Sequence, residues 1–414
     1  MNSSRLKVDV LDLWSLTPYY ERYLMQALQE EGVDAALCAT SYPNAPNYFD
    51  ECGLPLAAPL DRVAKWKIKN EWGRRILKGG EYLLNQTALL SRWTQRPPDV
   101  LHIQWLPMLR RAKLDLHFLR CVERLRIPTV YTVHNLLPHN AAVDVRETYQ
   151  RLYARMDQLI CHNQATAEEL EGRFGIASEK ISVIPHGPLF HDLPRPSRED
   201  ARQQLELKED DVVFLWQGVI SPYKGIDFLL DAWTRVHTAS PNAKLIIAGT
   251  GKQAQVDRIR ARISESHLES SLRTELRFIE TAELPSFFVA ADVLVYPYSE
   301  VTTSGALMTG LTYNKAILAT DLRGFRDLLP PDAASFVSYG DAAALASTIR
   351  NLVDQPGLRQ EHAAQVAVLD MQNAWHHIAK QTVDCYSRAL QVHASETRSL
   401  KLKKQAAGVA ACSE

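Results

Sequence analysis

Short runs of mostly apolar residues recur along the chain, each closed by proline, glycine or a polar residue: KVDVLDL at 7–13, DVLHIQW at 99–105, IPTVYTVH at 127–134, VVFLWQ at 212–217, KLIIA at 244–248, DVLVYP at 292–297 and AILAT at 316–320. Runs of this kind suit parallel strands covered on both faces, and the stretches between them are long enough for helical crossovers. Val33 to Cys38, Gln158 to His162, Ile181 to Pro185, Glu275 to Ile279 and Phe336-Val337 extend the series. The pattern predicts an α/β chain with doubly wound parallel sheets.

At 414 residues the chain exceeds the usual size of one core, so two domains are expected. Prolines 188, 194 and 196 fall in an aperiodic stretch that reads as a linker. The expected division is an amino-terminal Rossmann-like domain at 1–186, a linker at 187–200, a second Rossmann-like domain at 201–372, a last helix at 373–394 and a mobile tail at 395–414.

Composition removes several function classes. A net charge of -1 gives no electrostatic footprint for nucleic acid. Six cysteines with no C-x-x-C pair argue against a zinc site or a disulfide framework and suit a reducing cytoplasm. The first apolar run contains Asp9 and Asp12, so it is neither a signal peptide nor a spanning helix. The turn after it, WSLTPYY, lacks Gly-x-Gly-x-x-Gly, which speaks against a nicotinamide or flavin site, and no cofactor is expected.

Candidate chemistry collects at strand ends. After Pro297 come Ser299, Glu300, Thr302, Thr303, Ser304 and Gly305, small or oxygen-bearing residues ahead of a segment that can wind as a helix. Free amides, hydroxyls and a helix dipole there suit a diphosphate, although Ser and Thr are also ordinary helix caps. After Gln217, Gly218 permits close backbone approach, and Lys224 stands at the entrance of the next helix, placed either to counter a phosphate or simply at the surface. His134 ends a strand of the first half, where an open parallel sheet lines its ligand crevice, although a lone histidine is often structural. Between 60 and 96, nine basic residues face three acidic ones and interleave with Trp66, Trp72, Trp93, Ile76 and several leucines. That mixture suits either a helix lying on an anionic bilayer or a solvated face over buried tryptophans.

The pieces PDVLHIQW, IPTVYTVHNLLPHN, DQLICHNQATAEEL, ISVIPHGP, WQGVISPYKGIDFLLDAW, KLIIAGTG, AADVLVYPYSEVTTSG and AILATDLRGFRDLL, in this order and spacing, resemble the retaining glycosyltransferases of family four. The resemblance implies the GT-B fold: two Rossmann-like domains facing a cleft, nucleotide diphosphate sugar on the second, acceptor on the first, and a final helix crossing back. By it, Lys224 looks like the basic residue on the donor diphosphate, Thr302, Thr303, Ser304 and Gly305 like the phosphate-holding loop, Glu300 like the first signature glutamate, and His134 like the histidine facing the transferred sugar. The backbone near Ile279 would read the base, and the 218–224 loop, with Gly218 and Ser221, would line the donor. The chain departs from the family in having no arginine between Gly218 and Lys224 and in placing Thr309 or Met308 where a second glutamate holds the ribose.

The expected activity is metal-free transfer of a sugar to a saccharide or lipid-linked saccharide acceptor, with retention, as part of polysaccharide or glycolipid synthesis. The protein is expected to be cytoplasmic, with residues 62–96 against the inner membrane face. A catalytically impaired GT-B binding subunit and a nucleotide-sugar epimerase are the alternatives.

Overall fold

The computed structural model describes residues 5–43, 45–58, 60–63, 66, 70–109, 114–137 and 145–411; the side chains of Glu71 and of residues beyond 395 lie outside that description. Lys65, Lys67 and Lys69 of the basic stretch fall outside it, as do residues 138–140 of the His134 motif. The chain divides into two compact units, one running to Pro185 and resuming at Trp375, the other spanning His186–Ala374.

The first unit is built on β1 (Lys7–Asp12), β2 (Asp34–Ala39), β3 (Val100–Ile103), β4 (Thr129–Val133), β5 (Gln158–Cys161) and β6 (Ile181–Val183), ordered β2-β1-β3-β4-β5-β6. Every pairing is parallel. β3, β4 and β5 are buried at each residue, as strands covered on two faces require. The helix Trp375–Ala411 packs against the helix Pro18–Glu30 and against β3, β4 and β5, so the end of the chain completes the core that the beginning started.

The second unit repeats the architecture with β7 (Val212–Gln217), β8 (Ala243–Ala248), β9 (Leu272–Glu275), β10 (Val293–Tyr296), β11 (Ala316–Thr320) and β12 (Ala334–Val337), ordered β12-β11-β10-β7-β8-β9 and parallel throughout. Its sheet carries an apolar cluster on each face, one around Trp216, Trp233 and Ile247, the other around Leu294, Phe288 and Phe325. The architecture is GT-B: two six-stranded Rossmann-like sheets with a carboxy-terminal helix returning to the first unit.

Three expected elements differ, the first being the last helix, expected at 373–394 ahead of a mobile tail at 395–414, which runs from Trp375 to Ala411. β9 lies at 272–275, not 275–279, because as an edge strand it needs no continuous apolar run, and LRTE suffices. The segment expected as a linker up to 200 already turns helical at Arg198, where the Ser197 hydroxyl accepts from the Asp200 amide.

Candidate active site

In each sheet the chain runs outward from one central strand and then resumes on that strand's other side: β1 and β3 flank the reversal in the first unit, β7 and β10 in the second. Ligands in open parallel sheets bind beyond the carboxyl ends of such strands. In the second unit these ends carry the loops 218–225 and 297–304, the two sequence stretches singled out for phosphate.

The two loops are tied together. The Ser299 amide donates to the Tyr223 carbonyl at 2.7 Å, and the Ser299 hydroxyl reaches the same oxygen at 3.3 Å. Gly225, at φ +68°, lies so close to the other loop that a Cβ would sit 1.7 Å from the Pro297 carbonyl oxygen. Only glycine permits that crossing. It brings Lys224 over the Tyr298 ring, with Nζ 5.4 Å from the centroid. A Cβ on Gly218, at φ +145°, would lie 2.6 Å from the same nitrogen, so the ammonium occupies the space a side chain would take.

Among the described residues no carboxylate lies within ion-pair distance of Lys224. Burial of the ammonium pulls its pKa below the usual lysine range, while the neighbouring Tyr223 acts weakly in the opposite direction. A desolvated cation with no carboxylate partner among the described residues is chemically suited to an anion.

The hydroxyl-rich turn supplies the rest. Ser304 caps the helix Gly305–Leu311, its Oγ accepting from the Leu307 amide at 3.2 Å. Gly305 opens that helix beside His186 and Leu189. Thr303 is half-buried; Thr302 and Glu300 are exposed. Ser221 is half-buried, and its carbonyl accepts from the Lys224 amide at 3.0 Å. Thr309 is turned away: it is buried, and its hydroxyl donates to the Gly305 carbonyl at 2.9 Å within its own helix. The Ile279 side chain is in the core next to exposed Phe278, which leaves only its backbone for recognition. Tyr298, unremarked in the sequence, is fully buried beneath the ammonium. Its signal was an aromatic where a loop leaving a strand usually has a small polar residue.

The first unit gathers a second set. His134, just past β4, places Nε2 2.8 Å from Gln104 Oε1 and stacks on Trp105, with ring centroids 5.0 Å apart and planes at 9°. Its Nδ1 lies 3.4 Å from Nε2 of His162, which follows β5. Tyr20 meets both imidazoles edge-on. Gln104 is fully buried and also reaches His102. Gln104 and His162 were missed because only the pairing of β3, β4 and β5 brings their strand ends together.

The basic stretch divides into two faces. Lys78 points inward, donating to the Trp14 carbonyl at 2.8 Å, and burial pulls its pKa down to about 8. Arg92 pairs with Asp9, and buried Trp93 donates to the same carboxylate at 2.6 Å. The expectation that these three belong to a membrane-facing surface is corrected: they hold the helix Glu71–Gln95 to the sheet. Outward stand Trp72, Ile76 and Leu84, at four-residue multiples, with Leu77, Arg74 and Arg75 beside them. Among the described residues no helix is long and apolar enough to cross a membrane.

Residues 19–187 match the family Glycosyltransferase Family 4, and residues 211–355 match Glycosyl transferases group 1. A D-inositol 3-phosphate glycosyltransferase of Kineococcus radiotolerans is 25% identical over 303 residues, covering 66% of this chain and 69% of that protein. The Streptomyces avermitilis protein of the same description is 24% identical over 313 residues, 72% of this chain and 65% of that one, so the chain spans about two thirds of these relatives. Among solved structures, Anabaena Alr3699/HepE in complex with UDP and glucose superposes with a TM-score of 0.71 at 18% identity, covering 92% of this chain and 100% of that chain.

Proposed function

We propose that this chain of GT-B fold, whose residues 19–187 match Glycosyltransferase Family 4 and residues 211–355 Glycosyl transferases group 1, is a glycosyltransferase that moves a sugar from a nucleoside diphosphate sugar to a saccharide or lipid-linked saccharide acceptor, with retention of configuration. The observation that carries the donor assignment is Lys224, an ammonium with no carboxylate partner among the described residues, tied through Ser299 to the hydroxyl-rich turn. The UDP and glucose held by Alr3699/HepE support a donor of this class.

As the bond to the anomeric carbon breaks, negative charge collects on the departing diphosphate. A preorganised, largely desolvated cation stabilises that charge far more than a solvated one would. Lys224 and the amides of Thr303, Ser304 and Gly305 are the groups assigned to this task, with no metal required. On the acceptor side, His134 is assigned to the transferred sugar, held by Gln104 and Trp105. The outward stripe of Trp72, Ile76 and Leu84 beside Arg74 and Arg75 suits an anionic bilayer carrying a lipid-linked acceptor, and so a place in polysaccharide or glycolipid synthesis.

Lys224→Ala is expected to weaken UDP binding by roughly 10- to 100-fold, the worth of a charge-assisted contact, and to abolish transfer. Calorimetry and a turnover assay check this; activity within a few fold of wild type would overturn the assignment. Transfer is expected to persist in a chelator, and its loss there would shift the electrostatic work to a metal.

A second reading, a GT-B subunit that binds donor without turnover, is favoured by Thr309, whose hydroxyl is spent inside its own helix, and by the exposed Val219 in a loop lacking arginine. Nucleotide binding without product across a broad acceptor panel would select it. Conversion of donor with no acceptor present would instead select an epimerase.

A further inference from the structure

Lys224 is held at both ends of its side chain. At the backbone its amide donates to the Ser221 carbonyl at 3.0 Å, its carbonyl accepts from the Trp216 indole at 3.2 Å, and Gly225 then turns left-handed at φ +68°. At the other end the ammonium lies between the Gly218 backbone, where an added Cβ would come within 2.6 Å of Nζ, and the face of the Tyr298 ring, whose centroid is 5.4 Å from Nζ. A lysine stem is flexible and ordinarily carries its charge out to water. Here the stem turns inward.

The ring that it meets is itself fixed. Tyr298 is 1% exposed, and the Thr320 hydroxyl donates to its carbonyl at 2.7 Å. Tyr223 and Tyr296 meet the ring edge-on, each with centroids 6.0 Å apart, and Phe325 packs against it at 5.4 Å. Burial pushes the phenol up to about 12, with Ser304 acting the other way, so the group beneath the ammonium is a neutral π face and not a phenolate. Such a face attracts a cation through its quadrupole yet leaves the full unit of charge uncancelled. A carboxylate in the same place would neutralise the lysine and repel a phosphate.

We infer that Tyr298 is a positioning residue for Lys224: its ring face stands in for a counter-charge, keeping the ammonium protonated and seated against Gly218 while leaving its charge available to an anion. The inference deepens the role given to Lys224 in donor binding and rests on that reading for its purpose. The titratable groups that face the ammonium are Tyr298 from the 297–304 loop and Tyr223 from its own loop. On the helix Ile226–Trp233 that follows, Asp227 and Asp231 are engaged by Arg258 and Arg262. Burial disfavours the lysine's charged form, and attraction to the ring offsets part of that cost.

The test changes the electronics of the face while nearly keeping its shape. Tyr298→Phe retains the ring and removes the hydroxyl; phenylalanine analogues with one, two and three ring fluorines, placed at 298 by a suppressor tRNA, then withdraw electron density from the face in steps. In the full-length protein grown with carbon-13 lysine, the Lys224 side-chain signal, assigned by its loss in Lys224→Met, reads the titration of the ammonium directly and without nucleotide. Tyr298→Phe is expected to keep the wild-type midpoint within about 0.3 pH units, and three fluorines to lower it by at least about half a unit, with a step for each fluorine. Calorimetry is expected to show UDP affinity failing at successively lower pH in the same order. A midpoint indifferent to fluorination, or one that Tyr298→Phe alone displaces as far as three fluorines do, would overturn the inference. A midpoint that shifts as expected while UDP affinity does not follow it upholds the positioning role and removes the donor role of Lys224.

Discussion

His102 sits where a proton is unwelcome: it is 1% exposed, and burial holds its pKa down at about 3. The native state stays unprotonated there while an unfolded chain takes up a proton near 6.5, so stability is level above that value and falls as pH drops toward about 3. Between about pH 6.5 and 5 the loss from this one group is expected to be about 2 kcal/mol. Hydrogen exchange of the first unit's core at the two pH values measures it, and His102→Gln should flatten the dependence. Lys224 follows the same physics, burial disfavouring the protonated cation: since its pKa is depressed by burial, UDP affinity is expected to weaken as pH rises through that lowered pKa, and a pH-independent affinity on the alkaline side would contradict the phosphate role. The loop that carries Lys224 was legible in the sequence because glycine and proline punctuate it; the seating of its ammonium over Tyr298 was not. Gln104 and His162 were not legible, since nothing local distinguishes them; His102 finds Tyr386 across 284 positions of sequence, a distance no motif spans.

Elements were legible where burial on both faces demands apolar residues, as β7 and β11 show, and least so at the edge, where β9 is Leu-Arg-Thr-Glu. The loop crossing at Gly225 is where element geometry becomes chemistry. Gly225→Ala must push the 222–225 turn away from Pro297 and strain a left-handed backbone, an expected cost of about 2 kcal/mol or more, measurable as a drop in the second unit's melting temperature along with weaker UDP binding. The helix Glu71–Gln95 shows why counting charges does not assign a face: Lys78 and Arg92 anchor the helix inward while Trp72, Ile76 and Leu84 stand exposed. If that stripe seats on a bilayer, replacing Trp72 and Ile76 together by Ala should reduce cosedimentation with anionic vesicles by at least about tenfold, in line with the worth of two large apolar side chains, and leave UDP binding unchanged.

At the scale of the whole molecule, two similar sheets are joined through a chain path that leaves the first unit at Pro185 and re-enters it at Trp375. Trp375 stacks on Tyr23 and meets Tyr20 edge-on, and Tyr386 Oη lies within hydrogen-bond distance of His102. A ribosome therefore finishes the whole of the second unit before it delivers the helix that the first one lacks. During that interval the nascent amino-terminal sheet presents an aromatic face with nothing laid across it, so the order of synthesis runs against the order of completion: the segment made first is the last to become native.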